Sequence, residues 1–211
     1  MIKAVISDFG GVITTPLTEA FTRAHEEMGI PLSALREAMA LLASRHPEPP
    51  LFVLERGQMT EPEFMAMVQG ALGEVLGRDV TLDDYGIRIM GAVERNEPLL
   101  DYYQRLRDER GIRLAVLTNN VREWHDAWRT RLRIDELFEL VVDSAFEGMR
   151  KPEPEIYAVV LSRLGLPAGA CAFVDDVEVN VVAAREAGMH AIHFRDTEQA
   201  IAELDALVLA A

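Results

Sequence analysis

The chain repeats one pattern that strongly restricts its fold: short apolar runs that stop at polar or glycine-rich turns. The first run leads into Asp8, which Phe9, Gly10 and Gly11 follow. Apolar runs of this length, bounded by turn residues, are typical of buried strands. The sequence predicts five such strands, at 2–8, 112–118, 139–143, 170–175 and 190–194.

Helical patterns separate the later strands. Residues 154–164 and 177–187 each have helical spacing of apolar side chains, and a glycine, Gly165 or Gly188, follows each of them. A glycine directly after a periodic segment is a common helix stop. Strands that alternate with helices predict an α/β fold, a doubly wound parallel sheet with helices on both faces.

A long segment between the first two strands has a different character. Residues 17–95 contain no convincing strand, and helical patterns occur at 17–28, 32–45, 51–56, 61–76 and 83–95. This arrangement predicts an all-helical insertion after the first strand. The expected organisation is a core formed by residues 1–15 and 97–211, with a small helical cap formed by residues 16–96.

Composition narrows the possible partners and compartments. The 211 residues carry a formal net charge of −14, which disfavours nucleic acid and anionic membranes as partners. Phosphate remains a possible ligand because a local cation can reverse the field. No secretory signal or membrane-spanning run is visible, and Cys171 alone cannot form an intrachain disulfide, so we expect a cytoplasmic protein. Nothing in the sequence indicates an oligomeric state.

Polar residues follow four of the predicted strands. Because parallel strands end at the same edge of a sheet, residues from distant segments can converge there. Three of these residues, Asp8, Asp175 and Asp176, are carboxylates that repel one another unless a cation lies between them. Magnesium favours carboxylates, carbonyl oxygens, waters and a substrate phosphate as ligands. The sequence therefore predicts a Mg²⁺ site at this edge.

The same edge has groups suited to phosphate. Lys151 provides a positive charge, Thr118 a hydroxyl, and Asn119 an amide. Asp8 can act as a nucleophile. A nucleophile, a metal and donors around the equatorial oxygens are what phosphoryl transfer requires. Each residue alone is common in turns and loops, but their joint occurrence in this order favours a catalytic site.

These segments resemble the four sequence motifs of the haloacid dehalogenase superfamily. The matching segments are Asp8–Val12, Leu117–Asn119, Arg150–Pro154 and Phe173–Asp176, the last with Asn180 and Ala187–Met189. The helical insertion is placed like the cap of that superfamily. Within it, Glu55–Phe64 is similar to a segment of relatives of the N-terminal phosphatase domain of soluble epoxide hydrolase. Some similar sugar-phosphate phosphatases share the glycine at position 10.

The resemblance implies a phosphatase for a small phosphate monoester, with an aspartyl-phosphate formed on Asp8. It implies a Mg²⁺ site whose ligands come from three motifs: Asp8, the Gly10 carbonyl, Asp176 and Asp175, the last binding the ion or orienting its waters. It implies that the substrate is held by Thr118, Asn119, Lys151 and Gly11, and that Asn180 supports the metal shell. It also implies that Thr118 and Lys151 are catalytic together with Asp8, because Lys151 would neutralise Asp8 and the transferring group. Cap movement would occur at hinges near Thr14–Pro16 and Glu94–Pro98.

One position departs from the superfamily pattern. Most of its phosphatases have a second aspartate two residues after the nucleophile, and this chain has Gly10. Loss of general acid–base help typically costs about 100- to 10,000-fold in rate. Glu19, His25 and Glu55 are candidate replacements. Two alternatives stay open: a haloacid dehalogenase, which the Asp175–Asp176 pair argues against, and a non-catalytic binding protein on the same scaffold.

Overall fold

A single five-stranded sheet forms the centre of the molecule. The computed structural model describes residues 1–209, and the last two residues of the predicted core, 210 and 211, lie outside the described residues. All strand pairs are parallel, and the order across the sheet is β3-β2-β1-β4-β5. The strands are β1 (Ala4–Ser7), β2 (Arg113–Thr118), β3 (Leu140–Asp143), β4 (Cys171–Asp175) and β5 (His190–His193).

The sheet is covered on both faces, as strands that read as continuous apolar runs require. Successive residues of a strand point to opposite faces. Val5 and Val116 accordingly belong to one apolar cluster, and Ile6 and Leu117 belong to another. The predicted doubly wound α/β fold is confirmed, and each strand lies within two residues of its predicted ends.

Eleven α-helices accompany the sheet within residues 1–209. Those between β1 and β2 are α1 (Leu17–Met28), α2 (Leu32–Arg45), α3 (Pro50–Glu55), α4 (Glu61–Leu76), α5 (Tyr85–Ala92) and α6 (Glu97–Arg110). The others are α7 (His125–Arg131), α8 (Ser144–Glu147), α9 (Pro154–Leu164), α10 (Glu178–Glu186) and α11 (Thr197–Leu209). The sequence also predicts a helix after Asn120, and α7 lies there, whereas α6, α8 and α11 are additional to the predicted helices. Within residues 1–209, no helix combines the length and the apolar character needed to cross a bilayer.

The helical insertion, by which we mean α1–α5, is tied together where the chain enters and leaves it. An isolated antiparallel bridge joins Thr14 to Arg95. The Thr15 N–H donates to the Glu94 carbonyl at 2.8 Å, and the Asn96 N–H donates to the Ile13 carbonyl at 2.9 Å. The two connections therefore run side by side at the predicted hinges. The division of the chain at residues 16 and 96 stays a prediction.

Candidate active site

Asp8 directly follows β1 and begins a wide turn, which hydrogen bonds hold in place. Its N–H donates to the Val174 carbonyl at 2.8 Å, which extends the sheet by one residue. The Ser7 hydroxyl donates to the Asp8 carbonyl at 2.8 Å, and the Gly11 N–H donates to the Thr14 hydroxyl at 3.0 Å. These contacts fix the backbone on both sides of the Asp8 carboxylate.

Lys151 connects Asp8, which follows β1, to Asp175, which ends the neighbouring strand β4. Its Nζ donates to Asp8 Oδ1 and to Asp175 Oδ2, each at 2.6 Å. Lys151 is 1% exposed and Asp175 is fully buried. An ammonium group this deeply buried requires opposite charges around it. The Lys151 ammonium thus lies between two buried carboxylates, which follow or end the neighbouring strands β1 and β4.

Further contacts immobilise Asp175. Its Oδ1 accepts the N–H of Val177 at 2.8 Å, and the Asn180 amide donates to both carboxylate oxygens, at 3.1 and 3.2 Å. Asn180 is itself held, because its carbonyl accepts the Tyr157 hydroxyl at 3.0 Å. Asp175 and Asn180 therefore form a rigid base beneath Lys151.

Three carboxylates meet at the carboxyl edge of β1 and β4. Asp8, Asp175 and Asp176 each offer one oxygen, and these oxygens lie within 4.8 Å of one another. Oxygen ligands of Mg²⁺ lie about 2.1 Å from the ion, so neighbouring ligands are about 3 to 4 Å apart. The donor set is the all-oxygen type that magnesium prefers. Asp176 is exposed while the other two are buried, so the cluster opens toward solvent on the Asp176 side.

Burial and like charge dominate the electrostatics of this cluster. Burial raises the pKa of Asp8 to about 7, although Lys151 opposes the change, and Asp175 and Asp176 raise the pKa further. Burial, followed by the charge of Asp175, raises the pKa of Asp176. Burial alone would lower the pKa of Lys151, but the Asp175 and Asp8 carboxylates outweigh it and raise the pKa. The site is short of positive charge, which is the condition that a bound cation relieves.

Gly10 and Gly11, the two glycines after Phe9, occupy their positions for different structural reasons. Gly11 has φ +85°, and a Cβ on it would lie 2.8 Å from Asp176 Oδ2. Gly10 has φ −75° and ψ 118°, which any residue adopts. A Cβ on Gly10 would instead lie 2.6 Å from Leu17 Cδ1. A leucine side chain of α1 therefore fills the space in which a side chain at position 10 would begin.

Comparison with known families agrees with this architecture. The family model for haloacid dehalogenase-like hydrolases matches residues 2–188. The chain belongs to this family. The hydrolase is also similar in fold to a family member from Bacteroides thetaiotaomicron whose structure contains magnesium and inorganic phosphate. That likeness has a TM-score of 0.67 at 21% identity and covers 92% of this chain and 95% of the other.

Curated relatives include phosphatases and larger enzymes. Bifunctional epoxide hydrolase 2 of Rattus norvegicus is 27% identical over 219 residues, which cover 97% of this chain and 38% of that protein. The hydrolase thus spans well under half the length of this relative. A protein of Mycobacterium tuberculosis named as a phosphatase is 29% identical over 201 residues, which cover 90% of this chain and 86% of its own.

Thr118 and Asn119, at the end of β2, occupy different positions in the site. Thr118 is the last residue of β2, which is the neighbour of β1, so it lies at the same sheet edge as Asp8. The Asn119 amide donates to the Lys151 carbonyl at 2.9 Å and accepts the Lys151 N–H at 2.8 Å. The Asn119 side chain therefore holds the main chain of Lys151.

The three candidate replacement acids occupy different surroundings. Glu19 lies in the first turn of α1, in a groove beside the hinge that Thr15 and Glu94 also line. His25 is buried in the insertion, where its ring nitrogens contact the Tyr85 hydroxyl at 2.8 Å and the Ile30 carbonyl at 3.2 Å. Its contacts are those of a core histidine. Only Glu55 lies against the Lys151 loop, and it is paired with Arg150 at 2.5 Å.

Several residues that support the site could not be predicted from the sequence. Ser7 is visible in the sequence only as a polar residue in an apolar strand, and Thr14 only as a turn threonine. Tyr157 lies on the apolar face of a predicted helix, and such a position indicates only a role in core packing. The partners of Arg150 and Glu153 lie 95 and 97 residues away, in the insertion. No local pattern signals a contact of that sequence separation.

Proposed function

We propose that this hydrolase is a magnesium-dependent phosphatase that cleaves a small phosphate monoester through an aspartyl-phosphate on Asp8. The observation that carries the proposal is the convergence of Asp8 and Asp176 with the buried ammonium of Lys151 at one edge of the sheet. The similarity to a phosphatase over 90% of the chain supports the same reaction class.

In the first step, a carboxylate oxygen of Asp8 attacks phosphorus. The bond between phosphorus and the ester oxygen breaks, and its electron pair leaves with that oxygen, which takes a proton from water. Lys151 binds Asp8 Oδ1 at 2.6 Å, which leaves Oδ2 as the attacking atom. A magnesium ion held by Asp8, Asp176 and the Gly10 carbonyl would neutralise the phosphate oxygens.

In the second step, water attacks the phosphorus of the aspartyl-phosphate. The bond between phosphorus and the Asp8 oxygen breaks, the electron pair returns to the carboxylate, and the water proton passes to solvent. Thr118 would donate its hydroxyl to a phosphate oxygen. Since Lys151 occupies the side chain of Asn119, the donor of that residue would be its main-chain N–H. The Gly11 N–H already donates to the Thr14 hydroxyl. The contribution of Gly11 would therefore be to let the substrate approach the main chain closely.

The decisive test compares substrates with and without metal. We expect release of p-nitrophenol from p-nitrophenyl phosphate in Mg²⁺, and a loss of at least about 100-fold in EDTA because several kcal/mol of charge stabilisation disappear. Chloride release from 2-chloropropionate that EDTA does not change would instead identify a dehalogenase. Binding of Mg²⁺ or phosphate without turnover of either substrate would identify a binding protein.

Gly11→Ala tests the approach of the turn to Asp176. We expect a stability loss of about 1 kcal/mol from the left-handed backbone, together with a higher Mg²⁺ concentration for half-maximal activity. Gly29→Ala is the matched control, because Gly29 has φ +64° and a Cβ there meets no atom within 4 Å. Urea unfolding should show similar losses in both variants, while magnesium titration should change only in Gly11→Ala. Equal magnesium titrations would contradict the contact with Asp176.

Gly10→Asp tests whether the missing acid limits the rate. The new side chain would meet Leu17, so the double variant Gly10→Asp/Leu17→Ala supplies the space. We expect this double variant to hydrolyse glycerol 2-phosphate about tenfold faster or more, with a smaller gain on p-nitrophenyl phosphate, whose leaving group needs no proton. Leu17→Ala alone is the control. Equal gains on both substrates would show that bulk, and not proton transfer, sets the rate.

A further inference from the structure

Two ion pairs join the helical insertion to the loop that carries Lys151. Glu55, the last residue of α3, pairs with Arg150 at 2.5 Å between carboxylate and Nε. Arg56, the next residue, donates from Nε to Glu153 at 2.8 Å. The partners flank Lys151 and Pro152, so an acid–base dipeptide of the insertion meets a base and an acid of the core. We call these four residues the crossed pair.

The Glu55–Arg150 pair is far more buried than an ordinary surface ion pair. The side chains of Glu55 and Arg150 are 15% and 13% exposed, whereas those of Arg45 and Glu74, paired on the insertion surface, are 49% and 54% exposed. The Arg150 guanidinium also lies 3.9 Å from the centroid of the Phe52 ring. Charges this buried are strongly destabilising when one partner is removed. The pairing therefore defines one position of the insertion relative to the loop.

Backbone contacts beside the crossed pair fix the same position. The Ser144 hydroxyl at the start of α8 donates to the Glu55 carbonyl at 2.5 Å. Gly57 has φ +67°, and a Cβ on it would overlap the Ala145 carbonyl. The turn after α3 thus rests directly on the core, at the end of β3.

The Lys151 loop is held from two sides. From the core, the Asn119 side chain bonds both the N–H and the carbonyl of Lys151. From the insertion, the crossed pair holds the residues on either side, and the Arg150 N–H donates to Glu153 at 3.2 Å within the loop. The Lys151 side chain runs from this clamped segment to Asp8 and Asp175.

We propose that Glu55 and Arg56 are positioning residues that make the placement of the Lys151 ammonium depend on docking of the helical insertion. They act through Arg150 and Glu153 on the main chain of the loop and do not touch the reacting atoms. The inference rests on the function proposed above, in which the Lys151 ammonium neutralises Asp8 and the phosphoryl group that is transferred. It gives the insertion a part in catalysis that is separate from substrate selection.

Kinetics of Glu55→Gln provide the first test, with Glu74→Gln as the matched control on the exposed pair. We expect kcat for p-nitrophenyl phosphate in Mg²⁺ to fall about 10- to 100-fold, since small displacements of a positioned group have effects of this size. KM should change less than about threefold, because phosphate binding keeps its other donors. An unchanged kcat, or an equal loss in Glu74→Gln, would overturn the proposal.

A double-mutant cycle tests whether the two partners act together. Arg150→Gln should lower kcat to a similar extent, and Glu55→Gln/Arg150→Gln should lose no more than the worse single variant. Losses that multiply in the double variant would mean that the residues act separately, which contradicts a shared effect on Lys151.

Hydrogen exchange supplies a measurement that does not need activity. In Glu55→Gln, the main-chain N–H groups of Arg150, Lys151 and Glu153 should exchange about tenfold faster or more than in the unmodified chain, because the loop opens locally. Glu74→Gln should leave them unchanged. If the unmodified chain hydrolyses no phosphate ester, the proposed function fails. Hydrogen exchange still measures whether the crossed pair holds the Lys151 loop. Unchanged exchange at residues 150–153 in Glu55→Gln would overturn the inference by itself.

Discussion

Replacing Asp8 with asparagine is expected to lower phosphatase activity by at least about a thousandfold, because loss of a covalent nucleophile removes the reaction path itself. The substitution keeps the shape of the side chain and removes a buried negative charge. Lys151 keeps its second partner, Asp175, at 2.6 Å. We therefore expect the unfolding temperature of Asp8→Asn to be no lower than that of the unmodified chain.

The measurement is p-nitrophenyl phosphate turnover in Mg²⁺, with circular dichroism and thermal unfolding on the same preparation. Asp84→Asn is a suitable control, since Asp84 is an exposed aspartate of the insertion. Turnover above about a tenth of the unmodified rate would exceed what a missing nucleophile permits and would assign the attack to another group.

The sheet and the convergence at its edge were predictable because they follow from local patterns and one general rule. Apolar runs identify buried strands, and parallel strands end at a common edge. Asp8 and Asp176 follow β1 and β4, which are neighbours in the sheet. Their proximity therefore required no knowledge of packing. The family resemblance implied roles for Asp8 and Asp176. That the two residues lie close together already followed from the predicted sheet.

The insertion's contacts with the core were not predictable in the same way. Glu55 and Arg56 are charged residues at a helix end, and such residues are most often solvated. Their burial depends on how five helices pack, which sequence periodicity does not specify. The same holds for Leu17, whose position against Gly10 depends on the angle at which α1 leaves the hinge.

Side-chain assignments within the site were also beyond the sequence. A donor in a phosphate-binding motif suggests a substrate contact, yet the Asn119 amide bonds the main chain of Lys151 at both of its ends. Likewise, Asp175 is engaged by Lys151, Val177 and Asn180. Competition between partners decides such assignments, and it depends on distances of a few tenths of an ångström.

Replacing Lys151 with methionine should affect stability and activity together. The substitution keeps the length and apolar stem of the side chain but leaves Asp8 and Asp175 without their shared cation. Removing one partner of a buried ion pair typically costs about 3 to 5 kcal/mol. We expect a loss of this size in urea unfolding at neutral pH, and a loss of phosphatase activity of at least about 100-fold because charge stabilisation at the phosphate disappears.

The second lysine of the chain gives a direct control. The sequence contains only Lys3 and Lys151, and Lys3 is exposed. Lys3→Met removes the same charge at the surface, so it should change neither quantity beyond about 0.5 kcal/mol or twofold. Equal stability losses in the two variants would mean that the buried carboxylates do not depend on Lys151.

A double variant separates the electrostatic cause from a packing defect. If unpaired carboxylates destabilise Lys151→Met, then Asp8→Asn/Lys151→Met should recover part of the lost stability, because one of the two buried negative charges is gone. Activity should stay absent, since both the nucleophile and the ammonium are missing. A double variant no more stable than Lys151→Met would assign the loss to packing around position 151. Recovery of stability without activity would instead identify Lys151 as the counter-charge that lets this fold keep a buried nucleophile.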